Sequence, residues 1–333
     1  MSVTQLGVIG TGWFASTLTA AAATTGRGRV ASCFARSPKR RDDFAQRHGC
    51  AAADSVDALL GDPEITGVLI ATPHSTHEEL VVAAAQAGKH VFVEKPLTLT
   101  RAAAERAIAA TEDAGVTLQV GHNRRRQAAN RHIAAMIEHD ELGRVLQVDA
   151  VHTSPIGHDP SLPGWRADPD ECPAGGMSAL GVHMVDTFHY FLGPATRVMA
   201  MSTRRGEASG LDRATTVLIE YAAGPLATLS TSCYATVVTS LSVHGEDAAV
   251  WNEADGARLL LQARGEKARR DLGVEVVDTI ADEIDEFISC IRGEARPETG
   301  AAEGREVAAV LDAIVASIDG RCAVDVARSD AQA

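Results

Sequence analysis

Two side chains in this sequence have the types and settings of proton-transfer groups. Lys95 stands in Glu94-Lys95-Pro96, directly after the apolar run His90-Val-Phe-Val93. His183 stands in Gly181-Val-His183-Met-Val-Asp186, and on a helix His183, Asp186 and Tyr190 share one face at i, i+3 and i+7. A partly desolvated ammonium releases its proton more readily, and an imidazole titrates near neutrality, so both can move a proton at working pH. Asp186 is expected to orient the imidazole or to hold one tautomer. The plain alternatives are a solvated lysine after a strand and a buried histidine that packs the interior. His183, Asp186 and Cys172 do not present three ligands at fixed geometry, so no metal is expected.

The elements that must position these groups change character once along the chain. Over the first 121 residues, short apolar runs (5–9, 29–35, 68–71, 90–93, 117–121) alternate with helical stretches (13–24, 39–48, 76–87, 101–114). Strand–helix alternation with short connections predicts a doubly wound parallel sheet covered on both faces. After Gly121 come a helix (125–138), a strand (145–153) and a loop (154–176) that holds five of the 12 prolines. A loop so long and so rich in proline is expected to be functional. A helix (178–192) and a period-two segment (196–250) with turns at 223–225 and Gly245 follow, then helices at 281–291 and 302–318, with a short tail at 328–333. The period-two segment predicts a largely antiparallel sheet with helices on one face, the other face being free to meet another subunit. The expected division is a first domain over 1–121 and a second, α+β, over 122–327.

Composition sets outer limits. A length of 333 residues suits two domains, and 45% apolar with 23% charged residues is ordinary for a globular chain. With 31 Lys+Arg against 44 Asp+Glu the net charge is −13, which argues against nucleic acid or an anionic membrane as partner. No apolar run reaches the roughly 18 residues that span a bilayer, and residues 1–10 lack the pattern of a secretory signal. Six scattered cysteines without a C-x-x-C pair suggest reduced thiols and a cytoplasmic setting.

Gly10-Thr11-Gly12-Trp13-Phe14-Ala15 follows the first apolar run and opens a helix, the context of a dinucleotide fingerprint. Gly10 permits the tight turn, Gly12 lets the backbone approach a pyrophosphate, and Ala15 allows close helix–strand packing. The free N–H groups of that helix then face the anion. An NAD site places an Asp or Glu after the second strand to hold the ribose 2′-OH. Here the sequence reads Phe34-Ala35-Arg36-Ser37-Pro38-Lys39-Arg40-Arg41, with no acid before Asp42. Ala35, Arg36, Ser37, Lys39 and Arg40 suit a 2′-phosphate, so NADP is expected over NAD, unless the basic run is only a solvated helix start.

Three further pieces carry a resemblance: Ala71-Thr72-Pro73-His74-Ser-Thr-His77, Ala87-Gly-Lys-His-Val-Phe-Val-Glu94-Lys95-Pro96, and Gly175-Gly-Met-Ser-Ala-Leu-Gly-Val-His183-Met-Val-Asp186. With the fingerprint and Gly121-His-Asn-Arg-Arg125, they resemble the Gfo/Idh/MocA family, the glucose–fructose oxidoreductase and inositol dehydrogenase type, over nearly the whole chain. The resemblance implies an N-terminal Rossmann domain and a C-terminal domain with an open, largely antiparallel sheet. It also implies NAD(P)-linked oxidation or reduction of sugars, polyols and cyclitols, in homodimers or homotetramers built on that sheet. Lys95 then sits beside the nicotinamide, where a cationic ring and desolvation lower its pKa, and hydrogen-bonds the substrate oxygen; His183 takes or returns the hydroxyl proton. Pro96 fixes the backbone there, with a cis peptide bond implied by the resemblance. His74 and His77 shape the cofactor pocket. Many relatives carry an Asp four residues before the histidine; this chain has Ala179. Substrate contacts then fall to Asn123, Arg124, Trp165 and Arg166, with Asp168 a weaker candidate and Arg166 alternatively a loop anchor. Ala179 leaves two other readings open: a non-catalytic nucleotide-binding sensor, and a redox-neutral glycosidase of the same fold.

Overall fold

Apolar runs without alternation form the first sheet, because helices cover both of its faces. In the computed structural model, which describes residues 3–159, 164–203 and 211–327, these runs become β1 (Thr4–Ile9), β2 (Gly28–Phe34), β3 (Ala51–Ala52), β4 (Gly67–Ile70), β5 (His90–Glu94) and β6 (Leu118–Gly121). Between them lie α1 (Trp13–Thr24), α2 (Pro38–His48), α3 (Val56–Leu60), α4 (His77–Gln86) and α5 (Arg101–Asp113). All strands are parallel, in the order β3-β2-β1-β4-β5-β6. The order reverses between β1 and β4, and in such sheets ligands bind outside the C-terminal strand ends at that point. Ser37, Ser55 and Thr100 cap α2, α3 and α5. β3 and α3, absent from the sequence expectation, are two and five residues long, too short for a periodic signal.

The chain continues through α6 (Ala128–Glu138) and β7 (Val145–Thr153) to a π-helical turn (Met177–Gly181) that leads into α7 (Val182–Leu192). The expected single helix over 178–192 is therefore divided. Next come β8 (Ala195–Ser202), β9 (Thr215–Tyr221), β10 (Leu226–Ser232), β11 (Val238–Gly245), β12 (Ala248–Glu253), β13 (Arg258–Ala263) and β14 (Arg270–Asp271). With β15 (Val324–Asp325) they form a nine-stranded sheet, β14-β13-β12-β11-β7-β10-β9-β8-β15, in which only β7 and β10 pair in parallel. This is the mixed, largely antiparallel sheet expected. It runs past the expected limit at 250, because β13 buries Leu259, Leu260 and Leu261 in succession and so lacks the alternation that marks a one-sided strand. Ile133, Val185, Phe188, Val310 and Ile314 cover one face of the sheet. The opposite face exposes Met199, Met201, Leu218, Leu226 and Val238.

After Val277 the chain enters α8 (Thr279–Ile291) and α9 (Ala301–Gly320). Ile284, Phe287 and Ile288 of α8 join the core of the first sheet with Leu6, Val8, Leu18 and Phe92. Gly28 and Gly67 leave the room: a Cβ at either would meet the Cδ1 of Ile288 or Ile291 at 2.5 and 2.7 Å. Two compact units result, Met1–Asn123 with Asp278–Arg305, and Arg124–Val277 with the chain from Glu306 onward. The expectation of one uninterrupted second domain over 122–327 thus differs from these units. Periodicity gives α8 an apolar face but does not say which sheet that face meets. Residues 160–163 of the expected loop, 204–210 of the expected sheet region, and the expected tail at 328–333 lie outside the described residues.

Candidate active site

In the first unit the groups gather at the C-terminal ends of β1, β2, β4 and β5. Gly10 has φ +98, and a Cβ there would collide with the backbone of Ala71, so the turn after β1 accepts only glycine. Gly12 is the N-cap of α1, and a Cβ on it would meet nothing within 4 Å, which leaves an open approach to the backbone. α1 has neither a side-chain cap nor an acid in its first turn, so no side chain of the cap position competes for its leading N–H groups. Ala15 is fully buried against the sheet, whereas Trp13 is 66% exposed and stands edge-on to Phe14.

Beyond β2, Ala35 leads to Arg36, and Ser37 caps α2 by accepting the Arg40 N–H at 3.4 Å. Lys39 pairs with Asp43 at 2.9 Å, and Arg41 with Asp42 and Asp54. Among the described residues Arg36 and Arg40 are exposed and carry no ion pair, so the unshared positive charge narrows to these two.

After β4, Thr76 Oγ1 donates to Thr72 Oγ1 and to the Pro73 carbonyl, both at 2.7 Å, closing a short 3-10 turn over His74–Thr76. His77 opens α4 fully buried, with Nδ1 2.9 Å from the Pro96 carbonyl and Nε2 3.1 Å from the Thr72 carbonyl. Carbonyls only accept, and a neutral ring carries one N–H, so the imidazole donates to one of these two carbonyls at a time. His77 therefore ties the Thr72 loop to the Pro96 loop, with His74 edge-on at 5.8 Å. Glu94 ends β5 opposite Gly121, where a Cβ would come within 2.6 Å of Glu94 Oε1. Gly121 thus makes room for that carboxylate. The Lys95–Pro96 peptide bond is cis, as the resemblance implied. Asn123, expected near substrate, donates its amide to Thr279 Oγ1 at 2.8 Å.

The second unit assembles its groups by contacts between distant residues. Arg125 clamps Asp186 with Nε–Oδ2 and Nη2–Oδ1 bonds, both 2.8 Å, and its Cζ lies 5.2 Å from the centre of the Tyr190 ring. The side chains of this pair are 7% and 1% exposed. The expected Asp186–His183 partnership is replaced by this one. A permanently charged planar fork matches a carboxylate on both oxygens, which an imidazole cannot do, and helix spacing alone does not reveal a partner 61 residues away. Arg124 is likewise engaged, by Asp255, which also accepts from Gln127. Burial pushes the Asp255 carboxyl up, but Arg124 and the hydrogen bonds outweigh it and hold it below the usual range.

His183 is half-buried in the first turn of α7, with the His152 ring 6.1 Å away and tilted 45°. His152 sits on β7 and donates from Nδ1 to the Leu180 carbonyl at 3.0 Å, which leaves Nε2 as an acceptor in the neutral ring. The turn before α7 is held by Asp212, whose carboxylate accepts from Gly176 N–H at 2.7 Å and from Ser202 and Thr215. Gly175, at φ +55, lies so close to Asp212 that no side chain fits. Sequence reading missed Arg125, His152 and Asp212. Arg125 closes the Gly121-His-Asn-Arg-Arg125 piece but was given no role, and His152 falls in phase with Val148 and Ala150 on the buried face of β7.

Ala179 packs on an apolar cluster of Cys172, Leu211 and Cys233. Arg166 stacks on Trp165 with its Cζ 4.5 Å from the ring centre, both half-buried, while exposed Asp168 accepts from the Asp170 N–H. Among the described residues no group of three His, Cys, Asp or Glu side chains is placed to hold a metal, and no helix is long and apolar enough to cross a membrane.

A Rossmann sheet with this glycine turn, in a chain that also builds a mixed nine-stranded sheet, defines a class of two-domain nucleotide-dependent oxidoreductases. The family model for the Gfo/Idh/MocA oxidoreductases with NAD-binding Rossmann fold matches residues 4–122, and that for the Gfo/Idh/MocA C-terminal domain matches residues 130–251. The 1,5-anhydro-D-fructose reductase of Ensifer adhaerens is 28% identical over 289 residues, 83% of this chain and 85% of that protein. The crystal structure of a candidate NADPH-dependent oxidoreductase from Desulfitobacterium hafniense superposes with a TM-score of 0.90, at 27% identity over 98% of each chain. Levoglucosan dehydrogenase in complex with NADH and L-sorbose shares the fold, with a TM-score of 0.90 at 22% identity over 99% of this chain and 100% of that one. The chain belongs to the Gfo/Idh/MocA family and is an enzyme of its dehydrogenase and reductase type.

Proposed function

We propose that this protein is an NADP-dependent oxidoreductase that moves hydride between the nicotinamide and a carbinol carbon of a sugar, polyol, cyclitol or related hydroxylated molecule. The observation that carries the reading is Lys95, which follows β5 at the same end of the parallel sheet as the Gly10–Gly12 turn. The open approach at Gly12 and the uncapped start of α1 fit a pyrophosphate, and Arg36 and Arg40 fit a 2′-phosphate. The neighbours described as NADPH-dependent and as bound to NADH divide on the cofactor, so the preference for NADP rests on Arg36, Arg40 and the missing acid after β2. The Ensifer relative, a reductase of an anhydro sugar, supports the substrate class.

When bound, the nicotinamide supplies or accepts the hydride. Lys95 holds the substrate oxygen with a charged hydrogen bond, favouring the alkoxide-like charge that develops there as hydride moves. His183 exchanges the hydroxyl proton, received on oxidation and returned on reduction. Arg125 and Asp186 fix α7 and so the imidazole of its first turn. Glu94 and His77 fix the backbone on either side of Lys95. Trp165 and Arg166 offer an apolar face and a cation for further substrate contacts. The protein works in the cytoplasm as a homodimer or homotetramer through the exposed sheet face bearing Met199, Met201 and Leu218. The reading is tested by titrating the purified protein with NADPH and NADH and by screening sugars and cyclitols for a change at the NADPH absorbance band. Tighter NADPH binding and turnover support it; preference for NADH refutes the cofactor assignment.

A further inference from the structure

The helix that carries His183 takes its N-terminal acid from a distant part of the chain. Gly176, Gly181 and Val182 all have right-handed helical angles, so the π turn and α7 form one continuous helix. Neither segment has a side-chain cap or an acid in its first turn. Such a helix end carries partial positive charge and favours an anion. Buried Asp212 supplies one: its Oδ1 accepts the Gly176 N–H at 2.7 Å, and Ser202 and Thr215 donate to its Oδ2. Ser202 of β8, Thr215 of β9, Thr231 of β10 and His152 of β7 stand opposite one another in a single row across the sheet. The helix lies on that row: a Cβ on Gly176 would meet Thr231 Oγ1 at 2.9 Å, and one on Gly181 would meet Thr231 Cγ2 at 3.1 Å. Thr215 and His152 are two strand spacings apart, about 10 Å. Asp212 is bonded at one end of this span, and the His183 ring lies 6.1 Å from the His152 ring at the other.

We propose that Asp212 is a positioning residue for the proton exchange: it pins the start of this helix and, through its charge, raises the proton affinity of His183. The catalytic consequence rests on the role given to His183 above; the effect on the imidazole does not. The amino end of a helix disfavours an imidazolium, and a carboxylate placed there offsets that bias. Asp186 is closer in sequence, but Arg125 neutralises it across both oxygens. The partners of Asp212 are an amide and two hydroxyls, and among the described residues it has no ion pair, so its charge stays uncompensated. At about 10 Å a buried charge acts partly through protein, where salt screens it less than between exposed groups. Of the elements packed on the helix, β7 brings His152, β10 brings no titratable group, and α6 carries Arg131, His132 and Glu138 on its exposed side. α7 itself adds His189. With Asp212 in place the imidazole holds its proton to higher pH, and so can return it to the product oxygen on reduction.

The test compares the full chain with two variants. Asp212→Asn keeps the size and an acceptor for the Gly176 N–H but removes the charge; its amide NH₂ meets hydroxyls that can turn to accept. Thr215→Val loosens the same seat and keeps the charge. The His183 ring is titrated by NMR on histidine-labelled protein, its signal assigned by its absence in His183→Gln. Asp212→Asn should lower the His183 midpoint by about half a pH unit. The acid limb of kcat/KM for alcohol oxidation should move down by the same amount, since a weaker base is neutral at lower pH. Thr215→Val should lower the melting temperature and leave the midpoint in place. Should Asp212→Asn fail to fold, Asp212→Ser, a neutral and shorter acceptor, takes its place with the same expectation. An unmoved or raised midpoint in the neutral variant, or an equal displacement in Thr215→Val, overturns the proposal. A midpoint that falls while the pH profile stays fixed confirms the effect on the imidazole but refutes the proton exchange assigned to His183, and with it the catalytic consequence.

Discussion

The candidate functional groups of the two units are positioned by different physics. In the first unit the functional groups lie in the loops that follow strand ends, and the parallel sheet sets those loops side by side. Gly10 meets the Ala71 backbone, Gly121 makes room for Glu94, and His77 joins the loops after β4 and β5. In the second unit the groups are fixed by polar side chains that reach across from other elements. Arg125 holds Asp186, Asp212 holds Gly176, and His152 holds Leu180. Backbone approach at glycines tolerates no added side chain, whereas a buried polar pair fails when either member is removed.

The sharpest contrast is chemical. Lys95→Ala should lower turnover by about 10²- to 10⁴-fold while NADPH binding stays nearly intact, checked by steady-state rates and titration. In the second unit the largest effects should fall on stability. Asp186→Asn or Arg125→Met strands one member of a buried pair and should cost about 3–5 kcal/mol, read by chemical denaturation. Replacing both with apolar residues should cost less than either single change. Glycine changes sharpen the same comparison. Gly175→Ala, at φ +55 against Asp212, should destabilise by about 2 kcal/mol or more, whereas Gly12→Ala meets open space and should fold normally but bind nucleotide less well. Next in size, Arg36→Ala should weaken NADPH about ten-fold with little effect on NADH.

Smallest is a pH effect in the first unit. Burial holds His90 below the ordinary imidazole value, and its Nδ1 accepts the Thr117 N–H, a bond that protonation at that nitrogen would break. The unfolded chain takes up a proton that the folded chain resists. Stability is therefore full above a pH of about 6.5 and falls as pH drops below it. Thermal melts on either side of that value should show the slope, and His90→Gln should flatten it.

The same contrast explains what could be read from the sequence. The Rossmann sheet, its glycine turn and the Glu94-Lys95-Pro96 element were legible because their residues are contiguous and their period is clear. So was the mixed sheet of the second unit in outline, through the alternation of β8 to β12. The partner of Asp186 was not, since a helix face shows which side chains align but not what meets them. Asp212 carried no local mark at all. α8 was expected as a helix over 281–291, yet its place against β1, β2 and β4 shows only in Gly28 and Gly67 facing Ile288 and Ile291.

The most direct test is to supply NADPH deuterated at the transferring C4 position with a substrate found by screening, and to compare the protein with its Lys95→Ala variant. Deuterium on the product carbinol carbon, with turnover lost in a variant that still binds NADPH, is the predicted result. Equal turnover by the variant, or product without deuterium, would contradict it.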